Sequence, residues 1–122
     1  MFSLNETMRY YLFAQPTSMR KGISALCGVV HEQMGCDIRN GDVFIFINKE
    51  RKQMKLLHAE DGGMAMYVKR LEAGRFRLPD YEASMRYAML EWRDLVLIVE
   101  GIVEKPESRL RRLRAQRTEY HV

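Results

Sequence analysis

At 122 residues, 47% of them apolar and 30% charged, the chain has the composition of one globular domain and the length to bury a core. No apolar run approaches the ~20 residues of a membrane span, and Asn5, Glu6 and Thr7 interrupt the stretch where an export signal needs continuous apolar residues, so a cytoplasmic protein is expected. The net charge of +4 is uneven: residues 104–122 hold six basic residues against three acids, leaving a nearly neutral body of 14 against 13.

In chain order, "MRYYLFA" (8–14) is aromatic-rich and stops at Gln15-Pro16, which predicts a first strand. Met19, Ile23, Leu26, Cys27, Val30 and Met34 then recur at three- and four-residue steps, predicting a helix over 19–34. Thr17 or Ser18 is its candidate cap and Gly35 its stop. Asn40-Gly41-Asp42 reads as a turn, and "VFIFIN" (43–48) is apolar on both faces like a central strand. "KERK" suits a hairpin loop, "QMKLLHA" (53–59) a third strand, and Asp61-Gly62 is the strongest hairpin signal in the chain. In the strand after it, alternation puts Met64, Met66 and Val68 on one face and Ala65, Tyr67 and Lys69 on the other. The chain turns at Gly74, and "MRYAML" (85–90) is a further candidate strand. Trp92, Leu95, Val96 and Val99 fit a helix ending at Gly101, although "LVLIVEGIV" alone also reads as a strand. These elements make an α+β domain over 1–103: a β-meander spanning 43–70 and strand 8–14 form a central antiparallel sheet, packed by helix 19–34 and a second helix near 92–100. Residues 104–122 form a basic tail, where "PESRLRRLRAQR" has a helix-compatible charge order but only Leu110 and Leu113 as an apolar stripe.

The sharpest acidic cluster is His58, Glu60 and Asp61. A metal would need further ligands, and the remaining histidines, His31 and His121, lie in the predicted helix and at the end of the chain. A general-base pair would need a nucleophile or substrate nearby, and none is suggested. Turn chemistry accounts for Asp before Gly. Cys27 and Cys36 have no CxxC spacing, so neither a disulfide framework nor zinc is indicated. No catalytic set, metal or cofactor is expected.

Basic residues are the better candidates. Arg20 and Lys21 would oppose the dipole of a helix they begin, but with Thr17 or Ser18 they could hold an anion. Lys69 and Arg70 should point to opposite faces, whereas Arg75 and Arg77 could share one against a phosphate backbone. Glu72 could instead pair with either of the latter two. In the tail, five arginines in nine residues, including Arg109, Arg111, Arg112 and Arg114, suit a nucleic-acid backbone or an acidic protein surface. The nine methionines are explained by core filling more simply than by an adaptable interface.

Four stretches occur in one order: "QPTSMRKGISAL" (15–26), "GDVFIFINKERKQMKLLHAEDGG" (41–63), "YVKRLEAGRFRLP" (67–79) and "LVLIVEGI" (95–102). Together they resemble the TnpB-type accessory protein, the second-open-reading-frame product, of insertion-sequence family sixty-six, which is distinct from the RNA-guided nuclease sharing the TnpB name. The resemblance covers about Met8 to Ile102 and excludes the tail. It implies a non-catalytic bacterial protein assisting transposition. Its implied partners are the element's DNA, a separate DDE-type transposase and a second small accessory protein. The family's recurring basic positions fall on Arg20, Lys21, Lys55, Lys69, Arg70 and Arg75, without defined roles. Where many members carry Trp-Asp before the glycines, this chain has Ala59-Glu60 and then Asp61, so an aromatic is lost and the turn character kept. Two readings stay open: contact with DNA through the basic surfaces, or a pure protein-interaction module that meets the transposase and never touches DNA.

Overall fold

The computed structural model describes residues 4–82 and 84–100. Five strands and two helices follow in the order β1 (Tyr10–Phe13), α1 (Ile23–Glu32), β2 (Val43–Ile47), β3 (Gln53–Glu60), β4 (Gly63–Arg70), β5 (Tyr87–Leu90) and α2 (Trp92–Glu100), with a 3-10 turn at Ile38–Asn40 before β2. The fold is α+β. Its sheet has the order β4-β3-β2-β1-β5.

The β2–β3–β4 meander is antiparallel, as its hairpin signals predict. The sheet as a whole is mixed, which corrects the expectation of a purely antiparallel one. β1 runs parallel to β2, with Tyr10 beside Val43 and Leu12 beside Ile45, because α1 carries the chain back to the starting end before β2 begins. β5 then closes the other side of β1 in antiparallel register.

Every residue of β1 and β2 is buried, which is why these strands read as unbroken apolar runs. One face packs Tyr11, Phe13, Phe44, Phe46 and Leu57 against Leu26, Val29 and Val30 of α1. The other packs Tyr10, Leu12, Val43, Ile45, Met54 and Leu56 against Leu95 and Ile98 of α2, with Phe76 from the segment after β4. Aromatic contacts tie β5, β1 and β2 together: the Tyr11 ring stacks on Phe44 at 5.5 Å and meets Tyr87 edge-on at 5.3 Å.

α1 is shorter than its apolar periodicity predicts. It starts after Gly22, which caps it without a side-chain hydrogen bond, and not at Thr17 or Ser18. The reason is tertiary: the Thr17 N–H is taken by Ile47 O at 2.9 Å, and Lys55 claims the carbonyls of Met19 and Lys21. Arg20 and Lys21 therefore precede the helix and do not sit in its first turn, so the dipole cost anticipated for them does not arise. Gly35 does end the helical segment, in the left-handed conformation (φ +68°) that glycine adopts freely.

The ambiguous 92–102 segment is helical over Trp92–Glu100. Asp94, buried in the first turn, accepts a hydrogen bond at 2.9 Å from the Glu91 N–H, the backward half of a capping box.

Candidate nucleic-acid interface

Strand directions decide where the basic segments meet. The C-terminal ends of β1, β2 and β4 and the N-terminal end of β3 lie together at one end of the sheet. Three loops gather there. The 14–22 segment leaves β1 and is tied to β2 through Thr17 and Ile47. The 48–52 loop joins β2 to β3, and its Asn48 side chain accepts from the N–H groups of Lys52 and Gln53 at 2.9 and 3.0 Å. The segment after β4 crosses this loop, with Leu71 N–H donating to Lys52 O at 2.9 Å and Phe76 N–H to Arg51 O at 2.6 Å.

The sequence motifs thus become one surface. Arg20, Arg70, Arg75 and Arg77 are exposed, and Lys21 is half-buried. Arg75 and Arg77 flank Phe76 in the chain, and the Phe76 side chain is fully buried and anchors the segment. Lys69 and Arg70 do point to opposite faces: Arg70 sits opposite Gln53 on the α1 side, Lys69 opposite Met54 on the α2 side. The structure adds three cations that the sequence reading treated only as loop residues, Lys49, Arg51 and Lys52, all exposed. The usable signal was the loop itself, since three cations among four residues at a strand turn must cluster at a sheet end. Arg51 holds φ +59°, unusual for a side chain with a Cβ, and its carbonyl is pinned by Phe76.

Two open clefts flank the 48–52 loop. One, of about 500 Å³, lies between Pro16–Arg20 and Asn48–Glu50. The other, of about 610 Å³, lies between Lys52 and Gln53 on one side and Arg70, Leu71 and Glu72 on the other. Glu50 and Glu72 temper the positive charge without matching it. Towards β5 the same end turns more acidic, through Asp80 and Glu82 in the stretch whose Tyr81 hydroxyl donates to Ala14 O at 3.1 Å. Exposed Arg86 also stands on that side, beside Ala14, so the cations are densest, though not exclusive, on the β2–β4 side.

Lys55 has a different place from the other basic candidates. It is 8% exposed, on the α1 face of β3 opposite Phe46, and its ammonium donates to Met19 O at 2.9 Å and Lys21 O at 2.7 Å. Those bonds hold the Arg20–Lys21 turn down on the sheet. Its geometry is that of a residue positioning other cations.

At the opposite end stand Asp42, the Glu60–Asp61 turn and Glu91. Arg9 Nε donates to Asp42 at 2.8 Å where β1 and β2 begin, and this bond holds the Arg9 guanidinium above its ordinary pKa. His58 is buried in the sheet between Val43 and Ala65, and Asp61-Gly62 makes the two-residue hairpin link, with Gly62 at φ +80°. Among the described residues no group of three metal-ligating side chains occurs, and no helix is long and apolar enough to cross a membrane. The tail candidates Arg109, Arg111, Arg112 and Arg114 lie outside the described residues.

The family model described as "IS66 Orf2 like protein" matches residues 8–109. The chain belongs to the IS66 Orf2-like family. The match runs a few residues past Ile102, where the resemblance in the sequence motifs ends, and so reaches the start of the basic tail. Two proteins of Sinorhizobium fredii (strain NBRC 101917 / NGR234) are similar to it. The uncharacterized protein y4jC is 26% identical over 95 residues, covering 78% of this chain and 80% of its own. The uncharacterized protein y4hO is 25% identical over 103 residues, covering 76% and 90%. No solved structure matches the chain. As an IS66 Orf2-like protein it has the role of an accessory protein of IS66 transposition.

Proposed function

We propose that this IS66 Orf2-like protein assists transposition without catalysis of its own, by binding the element's DNA through the basic end of its sheet. One observation carries the reading: three separate basic segments, around Arg20, Arg51 and Arg75, are held at one end of the sheet by Thr17 N–H on Ile47 O, the Lys55 ammonium on Met19 O and Phe76 N–H on Arg51 O. A rigid array of Lys and Arg flanking open clefts suits phosphates, which accept contacts from either residue without regard to sequence. The transposase and a second small accessory protein are its protein partners, the cytoplasm its location, and residues 1–103 a single domain to which the 104–122 tail adds further cations.

The test is binding of duplex from an element end by purified full-length protein across a salt series. Affinity should fall steeply with salt, the logarithmic slope losing about 0.9 for each phosphate contact removed. Arg70→Ala with Arg75→Ala should lower that slope by about 2 while the circular dichroism spectrum stays unchanged. Absence of binding at low salt, with co-purification of the transposase, would overturn the DNA reading in favour of a protein-interaction module.

A further inference from the structure

β4 is the longest edge of the sheet and, among the described residues, no strand covers its outer side. Natural edges are blunted by shortness, bulges, proline or charges along their length. β4 shows none of these over its centre. It pairs with β3 through eight consecutive positions without a bulge, and Tyr67 and Val68 are 43% and 52% exposed. The other edge, β5, has only four residues.

The phase of the outer hydrogen-bonding groups can be read from the ladder. Leu71 N–H donates inward to Lys52 O, so by the two-residue alternation Gly63, Ala65, Tyr67 and Lys69 also face β3. Met64, Met66, Val68 and Arg70 then direct their N–H and C=O groups outward. The strand is also polar in charge: it leaves the acidic Glu60–Asp61 turn, passes through an apolar centre and ends at Lys69–Arg70.

We propose that β4 pairs antiparallel with β4 of a second copy, joining two five-stranded sheets into one across a two-fold axis. One register uses all four outward residues: Met64 opposite Arg70 of the second copy, and Met66 opposite its Val68. Tyr67 then meets its own counterpart on the axis. Each Arg70 then stands opposite Met64 of the second copy, with that copy's Asp61 three residues further along the edge, and the contact repeats twice by symmetry, as an isologous interface requires. Parallel pairing would set arginine beside arginine. The antiparallel dimer points its two basic ends in opposite directions. This inference is independent of the DNA reading, and its test uses no nucleic acid.

Light scattering or sedimentation at about 100 μM chain, enough to populate a dimer of micromolar Kd, should give twice the chain mass of 14.4 kDa. In the proposed register the Tyr67 positions form a non-hydrogen-bonded pair with Cα atoms about 4.5 Å apart, within disulfide reach. Tyr67→Cys should therefore give a covalent dimer under mild oxidation. Met89→Cys, exposed on the β5 edge, and the unsubstituted protein with Cys27 and Cys36 should not. Val68→Pro removes an outward N–H that β3 does not use, and should yield a monomer with unchanged circular dichroism. If that variant misfolds, the Tyr67→Cys cross-link decides alone. A monomer at every concentration overturns the proposal, including one whose β4 amides are protected by the chain's own residues. So does a dimer that cross-links through Met89→Cys and not Tyr67→Cys.

Discussion

Lys55 shows how much a single position depends on its surroundings. By composition it is one cation among twenty, yet its ammonium is buried against two backbone carbonyls and fixes the Arg20–Lys21 turn. Lys55→Met keeps the stem and removes the donors, leaving those carbonyls under-satisfied. It should cost about 1–3 kcal/mol in thermal or denaturant unfolding and speed tryptic cleavage after Arg20 and Lys21, because the turn is no longer held. Tyr10 offers a second residue-scale prediction. Burial pushes its phenol up to about 12 from an ordinary 10, and the hydroxyl donates to Asn5 O at 2.7 Å. A raised pKa means that the folded state holds its proton longer, so this contribution is intact below pH 10 and is lost as pH rises towards 12. Tyr10→Phe should flatten the fall in melting temperature between those values relative to the parent protein.

At the scale of elements, helix boundaries were set by competition for backbone groups more than by propensity. The apolar periodicity beginning at Met19 is real, but the first turn it predicts is dismantled because Thr17 and the Met19 and Lys21 carbonyls find partners in β2 and β3. α2 is the reverse case, where "LVLIVEGIV" is equally a strand by pattern. Asp94 decides it locally by bonding back to Glu91, and packing of Leu95 and Ile98 on the sheet completes the choice. Asp94→Ala should destabilise the fold by about 1 kcal/mol, read as a lower midpoint of denaturant unfolding. The hairpins were legible without help: Asp61-Gly62 joins Glu60 to Gly63, and the polar 48–52 loop links β2 to β3. Turn chemistry is local, so sequence suffices for it.

Across the whole molecule, the fold gathers cations that are scattered in the sequence. Cations from three loops stand at one end of the sheet, whereas the other end is mixed, with Glu60, Asp61 and Glu91 beside Arg39 and Arg93, and Asp42 paired to Arg9. A polyanion would meet each chain by the loop end, where the cations of three segments stand together. The alternation of Lys69 and Arg70 and the shared exposure of Arg75 and Arg77 could be read from the sequence, because period two and a single buried Phe76 suffice. The clustering of Lys49, Arg51 and Lys52 could be read from their loop, but not their meeting with the Arg20 and Arg75 segments, nor the separation of Lys55 from the exposed cations. Both depend on which strands are neighbours. By itself the sequence determined the α+β class, the meander and the family, since hydrophobic period, turn residues and motif order are properties of short windows of chain, whereas it left 92–102 open between helix and strand. Only the tertiary structure decided that β1 lies parallel to β2. That pairing brings residues about 30 positions apart within reach, sets the Arg20 turn over Lys55 and beside the 48–52 loop, and so makes one basic surface out of segments that no local pattern connects.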